Sequence, residues 1–246
     1  ILSILFFITA ILYSSVGFGG GSTYLALLLI WDIPYFIFPI IALLCNIIVV
    51  SGNSFNYLRA GNHNFKLLLP FLIGSVPLAF LGGTLKIDKE IFEILLFFVL
   101  SIAGFLLLIN NKSYANNNLI VKKLNFFISL FIGSVLGLIS GIVGIGGGIF
   151  LSPILFLIKA EKPKVIVTTA SLFILINSIS GILGQLTKEN ILSSISEYIS
   201  LFICVFIGGL LGNYLNLKIF TSRVLAIITS MLVIFVSIRM GIRIFL

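Results

Sequence analysis

Residues 16–21 read Val-Gly-Phe-Gly-Gly-Gly and residues 143–148 read Val-Gly-Ile-Gly-Gly-Gly, each inside a strongly apolar run. Each Gly costs roughly 1 kcal/mol relative to Ala in a helix interior, so three in a row favour a break. In lipid, a break is tolerated only where it is packed inside protein or lines a cavity. The stretches that follow, 22–30 and 149–158, are apolar but too short to span a bilayer, which takes about 20 residues. Each reads as a half-helix whose N-terminus points into the protein.

Composition makes lipid the solvent. Of 246 residues, 60% are hydrophobic and 9% charged, and the mean hydropathy is +1.28. A soluble domain has about 45–50% and about 25%. Apolar segments at 1–16, 19–30, 34–57, 67–85, 91–109, 124–142, 147–158, 165–186, 195–217 and 222–245 follow one another, separated by short polar loops. The fold class is therefore an all-α integral membrane protein. Cys45 and Cys204 lie within apolar segments and read as small buried hydrophobes, not as a disulfide or metal framework. No cofactor or metal is expected. The sequence opens on Ile1, and whether residues or a signal peptide precede it is left open.

The glycine clusters belong to a larger repeat. Residues 16–21 align with 143–148 at an offset of 127, Ser51-Gly52 with Ser180-Gly181 at 129, and Leu81-Gly82 with Leu211-Gly212 at 130. A slowly drifting offset is what a duplicated unit with small insertions gives. The chain divides into a first repeat at 1–109, a polar connecting loop at 110–123 and a second repeat at 124–246, together one transmembrane domain.

Lysine and arginine placement decides whether the broken elements cross the membrane, because cytoplasmic loops are enriched in both. If both cross, 8 of the 15 Lys and Arg fall on one side, which is no bias. If both are re-entrant hairpins, one side carries Arg59, Lys66, Lys112, Lys122, Lys123, Lys159, Lys162, Lys164, Lys218 and Arg223, 10 of the 15. The re-entrant arrangement is expected, with both chain ends outside the cytoplasm. It leaves three crossings per half, an odd number, so the repeats are expected to be inverted.

Inverted repeats with broken helices at the midplane are the architecture of secondary transporters. A half-helix N-terminus offers unpaired backbone N–H groups and partial positive charge, and glycine lets a ligand approach the backbone closely. The two breaks, Gly19, Gly20, Gly21 with Ser22 and Thr23, and Gly146, Gly147, Gly148 with Ser152, read as convergent cradles for one anion. Neither copy carries the Lys-Ser/Thr of a nucleotide P-loop. Asn46, Thr168, Thr169 and Asn177, polar within apolar segments, are expected nearby, because a mid-membrane amide needs partners. Ser and Thr also serve as ordinary glue between membrane helices. The acidic residues fall at segment ends or in loops, and His63 lies beside a loop, so a proton relay through side chains is hard to build.

At these residues the chain resembles the sulfite exporter TauE/SafE family of membrane permeases. The resemblance rests on SVGFGGGSTYLALLLI (15–30), on SGIVGIGGGIFLSPILFLI (140–158) and on PKVIVTTASLFILINSISG (163–181). The first half departs where the family usually has a Thr-Ser pair, reading ALLCN over Ala42–Asn46. The resemblance implies movement of sulfite or organosulfur anions across the bacterial inner membrane, and no enzymatic activity. Partners are then a small anion and the lipid bilayer, with no nucleic acid; a homodimer is compatible. The alternative is a membrane scaffold or assembly subunit in which the glycines only pack.

Overall fold

A computed structural model describes residues 1–15, 17–31, 33–109, 124–188 and 195–215, with 231, 234, 235, 237, 238, 241 and 242 further on. The connecting loop expected at 110–123 and the acidic residues Asp32 and Glu189 lie outside the described residues. The helices are α1 (Leu2–Ser14), α2 (Gly21–Ile30), α3 (Phe38–Arg59), α4 (Phe65–Thr84), α5 (Lys89–Ile109), α6 (Phe126–Val143), α7 (Gly148–Leu157), α8 (Pro163–Gln185) and α9 (Ile199–Leu215). No strand occurs among the described residues. Five described stretches are long and apolar enough to cross a membrane: Tyr35–Arg59, Phe65–Thr84, Phe126–Val143, Lys164–Gln185 and Ser196–Leu215. Phe127 and Phe131 on α6 are 76% and 68% exposed, an outward surface that suits only lipid.

Helix directions follow from which residues meet. On α6, a Cβ at Gly133, Gly137 or Gly141 would collide with the backbone of Phe71, Ser75 or Ala79 on α4. Both series advance by four, so α4 and α6 run parallel, with their backbones brought close by small residues. α8 is also parallel to α4: the Ser180 hydroxyl donates to the Val76 carbonyl at 2.6 Å, and Gly184 abuts the Phe80 carbonyl. Against α3 it is antiparallel, with Ser54 meeting Ser171 while Gly181 faces Leu43. The other face repeats the theme. Gly208 and Gly212 of α9 abut the carbonyls of Phe7 and Ile11 on α1, and Gly209 and Asn213 face Val49 and Gly52 on α3. Hence α1, α3 and α9 run one way, and α4, α6 and α8 the other.

These directions dictate the path of the short helices. Because α6 and α8 run the same way and only residues 158–162 join α7 to α8, α7 must run back toward the side where α6 began. By the same reasoning α2 runs back along α1. Each glycine break is therefore the tip of a hairpin. Loops group accordingly. Asn64 donates to the Glu161 carboxylate at 3.0 Å, joining the loops before α4 and before α8 on one side. Lys86 and Lys188 sit close enough to repel each other on the opposite side.

Candidate functional site

Both hairpin tips use the same backbone device. Gly17 and Gly20 have φ of +87° and +85°, and Gly144 and Gly147, each 127 positions further along the chain, have +90° and +75°. An L-residue in this left-handed region costs about 1–2 kcal/mol. Gly20 and Gly147 are the N-caps of α2 and α7, and neither helix start has a side-chain cap. The Gly20 carbonyl accepts from the Thr23 and Tyr24 N–H groups, and Gly147 accepts from Phe150 and Leu151. The N–H groups of Gly21 and Ser22, and of Gly148 and Ile149, form the positive ends of these two half-helices.

The tips touch. A Cβ on Gly21 would come 2.8 Å from the Ile145 carbonyl. That carbonyl accepts a hydrogen bond from Asn46 Nδ2 at 3.1 Å. The same amide lies against Gly19, Gly21 and Gly146, so one side chain from α3 bridges both breaks. Asn46 is fully buried, and its Oδ1 has no hydrogen-bond partner. Ile174 of α8 stands against Gly19, Gly146 and Gly148 from the other side. Its distance from Asn46 in the chain is 128, between the offsets of 127 and 129 on either side. Ile174 is thus the positional mate of Asn46.

Between the tips lies a cavity of about 10 Å³, close to the least that holds one water molecule. Tyr13, Phe18 and residues 19–22 line it from the first half, and Ile145, Ile149 and Ile174 from the second. Ser22 faces it with a buried hydroxyl that has no partner. Thr23 is held aside by Tyr13, hydroxyl to hydroxyl at 2.6 Å.

The other expected residues divide. Gly19, Gly20 and Gly21 border the cavity, while Gly146 and Gly148 pack on Ile174 and Gly147 on Phe173. Thr168 and Thr169 donate to the carbonyls of Lys164 and Val165 at 2.8 Å, inside their own helix. Asn177 likewise donates to Phe173 at 2.9 Å, leaving its buried Oδ1 without a partner. Ser152 is fully buried with an unpartnered hydroxyl, but it is not part of the cavity wall. Sequence pattern alone does not single out Tyr13, Phe18 or the three isoleucines. The signal for Ile174 was the drifting offset applied to Asn46.

Charge stays at the margins. No Asp, Glu, Lys, Arg or His is buried among the described residues. His63 is exposed beside Phe65. Lys188, just past α8, is half-buried, and burial, with Lys86 second, draws its amino group down to about 8. It donates to Gln185 Oε1 at 2.9 Å, and Gln185 Nε2 donates to the Gly141 carbonyl at 2.8 Å.

The sulfite exporter TauE/SafE family matches residues 2–240. The chain belongs to that family. Membership makes it a multi-pass protein of a membrane transporter family and not an enzyme. Three relatives are each described as a probable membrane transporter protein. One from Sinorhizobium fredii is 25% identical over 234 residues, 94% of this chain and 93% of the relative. One from Methanocaldococcus jannaschii is 30% identical over 205 residues, 77% and 73%. One from Bacillus subtilis is 22% identical over 258 residues, 95% and 94%. No solved structure matches the chain significantly.

Proposed function

We propose that the protein is a secondary permease for small sulfur oxyanions, working in the cytoplasmic membrane through a central site at the two glycine breaks. The observation that carries this reading is the Asn46 amide, bridging both hairpin tips beside the uncapped start of α2 and the unpartnered Ser22 hydroxyl. A packing-only role leaves that buried polarity without purpose, because an unsatisfied polar group costs about 1–3 kcal/mol. The glycines of α6, in contrast, face backbone and serve packing alone.

The halves act as inverted repeats in this reading. α4 lies on α6 as α9 lies on α1, and the first and second hairpins enter from opposite sides. The side holding the 60–64 and 158–162 loops is cytoplasmic, from the 10-to-5 distribution of Lys and Arg. A helix end contributes about 0.3–2 kcal/mol to a bound anion, and each charge-assisted hydrogen bond about 1.5–3. Several together, less the cost of dehydrating the anion, suit micromolar to millimolar binding, near −8 to −4 kcal/mol. Such strength lets a carrier release its cargo. The cavity admits about one water, so the tips must part to load the anion, and small residues along α4, α6, α8 and α9 provide close faces for that movement.

The test is uptake of radiolabelled sulfite by proteoliposomes holding the purified protein. Saturable uptake that Asn46→Leu reduces at least tenfold, with insertion unchanged, is expected. Absence of uptake of any sulfur oxyanion would leave the scaffold reading in its place.

A further inference from the structure

The central cavity is shut by different means toward its two sides. Of the nine residues that line it, eight are buried and Phe18 alone is half-buried. Phe18 follows Gly17, and a Cβ at Gly17 would stand 2.6 Å from the Tyr57 hydroxyl and 2.9 Å from Val167. Tyr57 lies in the last turn of α3 and Val167 in the second turn of α8, on the side of the 60–64 and 158–162 loops. Toward the other side Ile145 is buried, and Gly144 before it lies against the Pro39 backbone at the start of α3. Val167 lies 128 positions beyond Pro39, close to the 127 between Gly17 and Gly144, so a similar elbow is closed at each end. We infer that Tyr57 is the cytoplasmic gate of the permease, its ring swinging off Gly17 to admit the anion past Phe18. This inference rests on the permease reading and adds which end of the path a side chain opens.

The two seals open by different motions. The three atoms nearest a Cβ at Gly17 all belong to side chains, and the three nearest one at Gly144 all belong to the Pro39 backbone. A side chain clears a path by changing rotamer, which is fast where it is partly exposed. Backbone packed on backbone parts only when a helix or hairpin moves as a body, a far slower event. Tyr57 is half-buried at the end of its helix, so open space borders its ring on the loop side. Val167 is buried and β-branched, with one strongly preferred rotamer in a helix, so it forms the fixed half of the seal.

The experiment reads access to a single cysteine in the cavity wall, Ile149→Cys, in a chain that also carries Cys45→Ala and Cys204→Ala. A membrane-impermeant thiol reagent is applied to one face of sealed vesicles at a time. Labelling rate follows the fraction of molecules whose path is open, so Tyr57→Ala should raise it about tenfold or more from the cytoplasmic face. Labelling from the other face should not change. Tyr57→Phe keeps the ring and should label at the parent rate. If Tyr57→Ala does not insert, Tyr57→Leu, which also removes the ring, carries the comparison. A rate that ring removal leaves unmoved, raises from both faces, or raises no more than Tyr57→Phe does overturns the gate and leaves the permease reading intact. Absence of sulfite uptake by the unsubstituted protein overturns the permease reading, and the gate with it.

Discussion

Two glycines with the same backbone but different surroundings separate conformational cost from blockage. Gly20 has φ of +85° and Gly61 has +71°. Valine at either site meets the left-handed penalty, at least about 1–2 kcal/mol and more for a β-branched residue. Nothing lies within 4 Å of a Cβ at Gly61. At Gly20 the Cβ would stand 3.1 Å from the Tyr24 ring and 3.2 Å from Tyr13, so overpacking adds about 1–3 kcal/mol. Gly61→Val should then lose only the first amount and keep full transport. Gly20→Val should lose roughly 2–5 kcal/mol in all and abolish uptake, because its methyl groups would fill a cavity of about 10 Å³. Thermal unfolding in detergent, followed by intrinsic fluorescence, reads the first quantity, and sulfite flux in proteoliposomes reads the second. Should Gly20→Val insert normally and still transport, the first glycine break is a packing element and the proposed site is wrong. Equal destabilisation by the two substitutions would show that the tyrosine contacts carry no weight.

Further outcomes follow from other parts of the fold. His63→Cys and Lys162→Cys should both react with a membrane-impermeant thiol reagent from the cytoplasmic face; labelling of the two from opposite faces would break the hairpin topology. Gly137→Val drives a side chain into the Ser75 carbonyl of α4, so thermal stability should fall by more than the roughly 1–3 kcal/mol of ordinary overpacking; an unchanged melting temperature would mean that α4 and α6 are not in close contact. Lys188 is held near 8, below its usual 10.5, chiefly by burial. Its charge therefore costs stability in full below about pH 8, and the cost fades as pH rises to 10.5. The Tm of Lys188→Met relative to the wild type should accordingly fall across that interval, and a difference that stays flat would refute the burial of this lysine.

The sequence by itself determined the solvent and the breaks. Composition alone demands lipid, since so apolar a chain with so few charges has no water-facing surface to offer. The left-handed backbone at Gly17, Gly20, Gly144 and Gly147 is a local requirement that glycine meets at no steric cost, so it is written in the residues themselves. What the polar side chains do was decided only by the tertiary structure. Thr168 and Thr169, as promising on paper as Ser22, turn their hydroxyls into their own helix, while Ser22 faces the cavity and Asn46 reaches across to Ile145. Ile174 is one isoleucine among many until α8 sets it opposite Asn46 against the same two glycine breaks. A hydrogen bond's partner depends on the rotation and register of helices nearly 100 residues apart in the chain, as between Asn46 and Ile145. Those variables are set by glycine-on-carbonyl packing such as Gly141 on Ala79, which no local pattern encodes.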